Sequence, residues 1–273
     1  MKEMHGNILI MSDFDGTYYG VGRRVPENDD AVRRFIANGG YFTFASGRPA
    51  YDLERLLPDC AGFCNVPVAG LNAACMHDMQ THTDIDVSYL DTAAILEVLD
   101  YANDNYEGVN SIFFGVDRSF SDPGDKRISG ISTNTVIAPM REWKCVKWPK
   151  MIFIGEPELI VELKRDLVEV FGEKFEFSRS TPRILEVQNK GMTKARAVKW
   201  MREYMRKRGV DVKIIAAGDN ENDIDMLMAA DVAVCPSNAI DSVKEICSYC
   251  LCHCDDGFMA KLIAELESGA IKI

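Results

Sequence analysis

Several patterns that would identify a function at once are absent from this chain of 273 residues. It has no Gly-x4-Gly-Lys-Ser/Thr loop and no Gly-x-Gly-x2-Gly fingerprint, which counts against the nucleotide-binding and dinucleotide-binding classes that use them. Its four histidines form no pattern with a serine or cysteine nucleophile. There is also no internal repeat and no low-complexity segment, so a repeat architecture is excluded.

Positive charge and long apolar runs are also scarce. The formal net charge of -11 argues against nucleic acid or an anionic membrane as a partner. A small anionic substrate stays compatible, because a bound metal ion can reverse the local field. The apolar run at 8–11 is too short for a signal-peptide core or a membrane span. Nine cysteines without a secretory signal indicate reduced thiols, so we expect a cytoplasmic protein.

What the sequence does contain is a regular alternation of strand and helix patterns at both ends. Short apolar runs indicate buried strands, and apolar residues at helical spacing indicate helices between them. The predicted strands are 8–11, 41–45, 66–69, 212–216 and 232–234, and the predicted helices are 27–38 and 193–208, with a further helix from 224. Such alternation predicts an α/β fold, a Rossmann-like parallel sheet with its ligand site at the carboxyl ends of the strands.

The middle of the chain, 86–187, has a different pattern. Helices are predicted at 91–104 and 156–171, among strands at 111–114, 132–138, 151–154, 175–177 and 184–187. This mixture indicates an α+β domain inserted into the α/β core. We therefore predict a core formed by 1–85 and 188–273, with 86–187 as the insert.

An acidic motif follows the first strand, with Asp-Phe-Asp-Gly-Thr at 13–17. Asp13 is placed to attack phosphorus and form an aspartyl-phosphate. Asp15 can protonate the leaving oxygen and then deprotonate the attacking water. Gly16 permits a tight turn. The alternative is an acidic turn without chemistry, since Asp-Gly is a common turn pair.

A second acidic motif, Gly-Asp-Asn-Glu-Asn-Asp at 218–223, follows a late strand. Crowded carboxylates repel one another, so two such motifs at one sheet edge indicate a metal ion that compensates them. The predicted Mg2+ site is formed by Asp13, Asp15 through its backbone carbonyl, Asp219 and Asp223. Asn222 can donate to a phosphate oxygen. A helix start enriched in acids explains this motif in part, but not its pairing with the first.

Two donors complete the predicted site. Ser46, in Ser-Gly-Arg at the end of its strand, can hydrogen-bond a phosphoryl group, and Gly47 lets its backbone N–H approach closely. Lys194 can neutralise charge on the nucleophile and the phosphoryl oxygens. Lys190 is a near-equivalent competitor, and the residues alone leave that choice open.

Together these motifs resemble the four motifs of the haloacid dehalogenase (HAD) superfamily of phosphotransferases, over the whole chain. Further segments resemble its Cof-type branch, subclass IIB: 72–74, 238–239 with 243–244, and 256–258. Ala73 and Phe258 depart mildly from that branch, where Gly and Val are usual. The resemblance places Lys194 ahead of Lys190, because relatives carry the lysine at this helix start. It also implies that Gly47, Arg48 and Asn222 contact the substrate.

The resemblance implies a function as well as a fold. The insert at 86–187 takes the position of a type-2 cap, which closes over the catalytic loops and selects the leaving group. The implied enzyme is a Mg2+-dependent phosphatase acting on small phosphorylated metabolites, foremost sugar phosphates. A hexose-phosphate mutase and a non-catalytic ligand-binding protein are the alternatives. Cap cations that could meet a second anionic group are Arg118, Lys126, Arg127, Arg141, Arg179 and Arg183.

A cysteine-rich segment near the C-terminus has two interpretations. The spacing at 247–254, Cys-x2-Cys-x-Cys-His-Cys, offers ligands for zinc. The alternation of Cys250, Cys252 and Cys254 instead indicates one face of the last core strand, where buried thiols act as small apolar residues. We favour the strand. His77 and His82 are expected on a hairpin leading into the cap, in ordinary surface roles.

Overall fold

The computed structural model describes residues 5–121, 134–138 and 147–273. Within these ranges the helices are α1 (Pro26–Ala37), α2 (Ala50–Leu56), α3 (Thr92–Asn105), α4 (Pro157–Phe171), α5 (Lys194–Lys207), α6 (Ile224–Ala229), α7 (Asp241–Ile246) and α8 (Phe258–Glu267). The strands are β1 (Ile8–Ser12), β2 (Tyr41–Phe44), β3 (Val68–Gly70), β4 (Cys75–Asp78), β5 (Thr83–Val87), β6 (Asn110–Phe114), β7 (Ser119–Ser121), β8 (Thr135–Ile137), β9 (Lys150–Ile154), β10 (Phe175–Thr181), β11 (Ile184–Asn189), β12 (Lys213–Ala217), β13 (Val232–Cys235) and β14 (Tyr249–Cys250).

A parallel sheet of order β14-β13-β12-β1-β2 forms the centre of the core. Strand β1 is buried on both faces, which explains its unbroken apolar sequence. Leu9 and Met11 pack against residues of α5, α6 and α7, whereas Ile10 packs against residues of α1, α2 and α8 on the other face. Helices therefore cover both faces, and the predicted α/β fold with a parallel core sheet is confirmed.

The predicted core elements differ from the observed ones only at their ends. Helix α1 begins with Pro26 at its first turn, where a missing N–H costs nothing, and Gly39 with a φ of +91° follows its end. The strand expected at 66–69 is shifted and spans Val68–Gly70. It belongs to a three-stranded antiparallel sheet, β3-β4-β5, whose hairpin carries His77 and His82 as expected.

A second sheet, of order β10-β11-β9-β6-β7-β8, is built from strands between residues 110 and 189. Helices α3 and α4 cover one face, where Phe113 and Phe153 are buried. The opposite face turns Ile112 and Ile152 toward Leu71 of the core. The strand expected at 132–138 is observed as Thr135–Ile137, and residues 132 and 133 lie outside the described residues. The boundaries of the insert at 86 and 187 remain predictions.

The prediction for the cysteine segment was wrong in one respect. The last core strand is only Tyr249–Cys250, so the alternating thiols do not share a strand face. Cys250 is exposed, while Cys254 is buried in a 3-10 turn that follows. That turn forms because the His253 ring accepts a hydrogen bond from the backbone N–H of Asp255 and so caps it.

No helix in the described part of the chain has the length and apolarity needed to cross a bilayer.

Candidate active site

The register of the core sheet brings the two acidic motifs together. Ser12, the last residue of β1, pairs with Ala217 at the end of β12 and with Phe44 at the end of β2. The segments that follow these strands therefore start at one edge of the sheet, as expected for a parallel sheet. The backbone N–H of Asp13 donates to the carbonyl of Ala217 at 2.8 Å, which joins the two loops directly.

Three carboxylates meet at this edge. Oxygen atoms of Asp13, Asp219 and Asp223 all lie within 4.8 Å of one another. Burial, followed by repulsion from neighbouring carboxylates, raises the pKa of Asp13 well above its usual range. Burial and the charge of Asp223 likewise raise the pKa of Asp219 to about 7. This donor set of closely spaced oxygens fits a hard divalent cation, which would offset the repulsion.

Lys194 supplies a positive charge at the same point. Its Nζ donates to Asp13 Oδ1 at 2.5 Å and also to Asp223 Oδ1. Burial alone would lower the pKa of Lys194, but the two carboxylates outweigh it and raise that pKa above its usual value. Lys190, the competitor, is more than half exposed and pairs with Glu176 at 3.3 Å. The structure thus places Lys194, not Lys190, among the carboxylates.

Short-range contacts hold the two acidic loops against each other. Thr17 Oγ1 donates to Asp219 Oδ1 at 2.8 Å, and the Asn238 amide donates to the carbonyl of Gly16 at 2.8 Å. Gly16 has a φ of +79°, and a Cβ added there would lie 2.7 Å from Asp219 Oδ2. Only glycine fits this position, because a side chain would strain the backbone and displace the carboxylate.

The carboxylate of Asp15 is turned away from the other three. It accepts two hydrogen bonds from Arg48, one from Nε at 2.6 Å and one from the terminal nitrogen at 2.9 Å. This bidentate pair fixes the orientation of both side chains at the edge of the cavity. The sequence predicted both residues for the site but gave no reason to expect that they pair.

A cavity of about 280 Å³ opens above these groups. Its lining includes six residues predicted from the sequence, namely Asp13, Asp15, Ser46, Gly47, Arg48 and Asn222. The remaining lining residues were not predicted: Pro49, Phe114, Lys150, Ile152, Ser180, Thr181, Ile184, Glu186 and Asn220. Most of these come from the second sheet, so both sheets contribute to the cavity.

A buried ion pair in the wall of the cavity is the main feature that the sequence analysis missed. Lys150 Nζ donates to Glu186 Oε1 at 2.6 Å and to the carbonyl of Gly47 at 2.8 Å. The Asn72 amide donates to the other Glu186 oxygen. Burial alone would raise the pKa of Glu186, but Lys150 outweighs it and holds that pKa below its usual range. The available signal was a charged residue within each of two apolar strand patterns, β9 and β11.

The predicted cap cations have partners within the protein. Arg179, together with Lys164, binds Glu221 of the second acidic motif. Arg183 pairs with Glu156, and Arg118 pairs with Asp117. Lys126, Arg127 and Arg141 lie outside the described residues.

The chain matches the model of the haloacid dehalogenase-like hydrolase family over residues 10–263. It therefore belongs to that family, and the resemblance inferred from its motifs is confirmed.

Relatives agree with this assignment in sequence and in fold. The 5-amino-6-(5-phospho-D-ribitylamino)uracil phosphatase YitU of Bacillus subtilis is 24% identical over 95% of this chain and 97% of its own. A solved haloacid dehalogenase-like hydrolase from Bacteroides thetaiotaomicron has a TM-score of 0.82, at 19% identity, over 95% of this chain and 99% of its own. The HAD subclass IIB sugar phosphatase BT4131 has a TM-score of 0.79, at 21% identity, over 97% and 100%. The prediction of an enzyme, a HAD-type phosphoric monoester hydrolase, is confirmed.

Proposed function

We propose that this protein is a Mg2+-dependent phosphatase that hydrolyses small phosphorylated metabolites, foremost sugar phosphates, through a phosphorylated Asp13. The observation that carries the proposal is the position of Asp13. Its carboxylate lines the cavity and is held by Lys194 beside two further carboxylates. A binding protein would have no need of a buried nucleophile poised in this way.

Mg2+ is the cation that we assign to the carboxylate group. Asp13, Asp219 and Asp223 supply oxygen donors, which Mg2+ prefers, and the backbone carbonyl of Asp15 is a fourth candidate donor. When bound, the ion would neutralise charge on the phosphoryl oxygens. Asp223 also accepts hydrogen bonds from the backbone N–H groups of Asp219 and Asn220, which fixes the loop that carries these ligands.

In the first half of the reaction, a carboxylate oxygen of Asp13 forms a bond to phosphorus while the bond from phosphorus to the alcohol oxygen breaks. Asp15 gives a proton to that departing oxygen. Lys194, the Ser46 hydroxyl and the backbone N–H of Gly47 stabilise the negative charge that spreads over the phosphoryl oxygens.

In the second half, Asp15 takes a proton from a water molecule, and the water oxygen bonds to phosphorus. The bond between phosphorus and Asp13 breaks, which releases inorganic phosphate and restores both carboxyl groups. Arg48 keeps the Asp15 carboxylate oriented at the cavity between these two proton transfers.

The leaving group is assigned to the wall formed by the second sheet. Ser180, Thr181 and Asn220 offer hydrogen-bonding groups suited to hydroxyls, while Phe114 and Ile184 offer apolar surface for the carbon face of a ring. A sugar monophosphate matches this combination. The fold shared with a subclass IIB sugar phosphatase supports the same substrate class.

We further propose that 86–187 act as a cap on the core formed by 1–85 and 188–273. Support comes from the two connections, which run side by side: the Asn189 amide donates to Ser88 Oγ at 3.0 Å and to the carbonyl of Tyr89 at 2.7 Å. A cytoplasmic location is also part of the proposal. It is supported by the eight described cysteines, all of which are free thiols.

The experiment that tests this function measures phosphate release from a panel of sugar phosphates, nucleotides and pyridoxal phosphate, with Mg2+ and with EDTA. Wild-type protein should release phosphate only with Mg2+, and Asp13→Asn should lose at least about a thousandfold in kcat. Release that survives EDTA, or full activity in the Asp13→Asn variant, would reject the mechanism. Isomerised sugar phosphate in place of free phosphate would show the mutase instead.

A further inference from the structure

A second group of metal-binding side chains lies where the β4–β5 hairpin meets helix α2. His77 is on β4, His82 is in the turn of the hairpin, and Glu54 is on α2. One potential ligand atom from each residue lies within 4.8 Å of the other two. His82 Nδ1 is 3.0 Å from Glu54 Oε1. These side chains are separate from the cavity lining given above.

The ring of His77 is already oriented as a metal ligand would be. Its Nδ1 lies 2.7 Å from Asp84 Oδ1, and since a carboxylate only accepts, Nδ1 carries the hydrogen. The lone pair is therefore on Nε2, which is free to bind a metal ion. A carboxylate behind an imidazole is the usual support for histidine ligands of zinc.

Glu54 contributes an oxygen whose surroundings do not satisfy it. Glu54 Oε1 is shielded from solvent, and among the described residues no donor reaches it with hydrogen-bond geometry. The nearby His82 nitrogen is close enough for an ion pair but is not aligned as a donor. A shielded carboxylate oxygen without a partner costs free energy, and a bound cation would supply the missing partner.

We propose that His77, His82 and Glu54 form a second metal site, which takes a first-row transition ion of the Zn2+ type. Two imidazoles and one carboxylate suit such an ion, whereas Mg2+ prefers oxygen ligands alone. Bonds of about 2.0 Å to a tetrahedral ion place ligand atoms roughly 3.3 Å apart. The pair His82–Glu54 is already near that separation, and the largely exposed His82 ring can adjust its position.

The site joins two parts of the chain that lead to the active site and to the proposed cap. Helix α2 begins directly after the loop of Ser46 and Arg48, and β5 ends at Val87, where the chain enters the second sheet's domain. An ion bound to both elements stabilises the folded hairpin by mass action, because the unfolded chain does not present the three ligands together.

The direct test is a Zn2+ titration of the full chain, prepared without a polyhistidine tag and labelled with 15N at histidine. The chain has four histidines, so each ring can be followed by NMR. Excess Mg2+ keeps the carboxylates of the active site occupied. The ring signals of His77 and His82 should shift and saturate near one equivalent of Zn2+, with His5 and His253 unchanged. Shifts confined to His253, or no shift at all, would overturn the proposal.

Variants separate ligation from folding. In competition with a chromophoric chelator, His82→Gln should weaken Zn2+ binding by about tenfold or more, and Asp84→Asn by about 10- to 100-fold, as for other residues that orient a ligand. The control is His253→Gln, which removes a side chain from a different potential ligand group, that of Cys254 and Asp255. It should bind Zn2+ as the wild type does, and thermal unfolding without zinc should match in all variants. Equal affinity in His82→Gln and wild type would refute the site.

Discussion

Two glycines with similar backbone conformations have different neighbours. Gly16 has a φ of +79° beside Asp219, whereas Gly22 has a φ of +70° with nothing within 4 Å of an added Cβ. Gly16→Ala and Gly22→Ala should therefore share a backbone strain of about 1 kcal/mol, but only the first displaces a proposed metal ligand.

We expect Gly16→Ala to raise the Mg2+ concentration for half-maximal phosphatase activity by about tenfold or more. Gly22→Ala should leave that concentration unchanged. Magnesium titrations of both variants at fixed substrate provide the measurement. An equal effect of the two substitutions would mean that backbone strain alone, and not contact with Asp219, determines the requirement for glycine.

The two candidate lysines allow a matched comparison. Lys194→Ala should lower kcat by about 10²- to 10³-fold, because it removes a buried charge beside Asp13. Lys190→Ala, which removes an exposed charge paired with Glu176, should change kcat less than twofold. Steady-state kinetics with Mg2+ gives both values, and circular dichroism checks the fold. Comparable losses in the two variants would contradict the assignment of Lys194.

At this scale the sequence predicted identity better than contact. Asp13, Asp219 and Lys194 could be predicted because each lies in a short motif at the end of a strand or the start of a helix, where local pattern determines position. The pairing of Asp15 with Arg48 could not, since it depends on loop geometry after two separate strands.

At the scale of elements, strands β9 and β11 are joined by charge as well as by backbone hydrogen bonds. Lys150 and Glu186 are both nearly inaccessible to solvent, at 2% and 3% exposure. Removal of one member of such a pair leaves the other buried and uncompensated, which is more costly than removal of both.

Lys150→Met should therefore lower the free energy of unfolding by about 3–5 kcal/mol. The double variant Lys150→Met/Glu186→Leu should recover a substantial part of that loss. Urea unfolding followed by tryptophan fluorescence compares them, with Lys207→Met at an exposed ion pair as a control of unchanged stability. A double variant less stable than the single one would show that the pair is stabilising beyond mutual compensation.

Elements with a clear period were predicted within one or two residues, whereas short irregular ones were not. The strand at Tyr249–Cys250 ends early because a turn capped by His253 follows it, and alternating cysteines gave no indication of that turn. Glu186 was passed over because it interrupts an apolar run, although that interruption marks the partner of Lys150.

At the scale of the whole molecule, the proposed cap contacts the second acidic motif. Lys164 and Arg179 bind Glu221, and the Asn220 amide donates to the carbonyl of Ser180 at 2.9 Å. These contacts hold the wall of the cavity against the loop that carries Asp219. They could not be read from the sequence, because they join segments that only the packing of the two sheets brings together.

If these contacts favour the closed cap, the double variant Lys164→Gln/Arg179→Gln should raise KM by about three- to tenfold, since partly exposed ion pairs contribute little each. The control is Arg183→Gln, whose partner Glu156 lies within the same proposed domain, so it should leave KM unchanged. Kinetics with one sugar phosphate under saturating Mg2+ provides the comparison. An equal rise in the control would attribute the effect to loss of charge rather than to closure.

The central claim is that Asp13 becomes phosphorylated during turnover. The most direct measurement mixes the enzyme with Mg2+ and excess phosphorylated substrate, quenches in acid within the first turnover, and locates the phosphoryl group by peptide mass spectrometry. We predict one phosphoryl group on Asp13 in the wild type and none in Asp13→Asn. A phosphoryl group on another residue, or phosphate release by Asp13→Asn at the wild-type rate, would contradict the account.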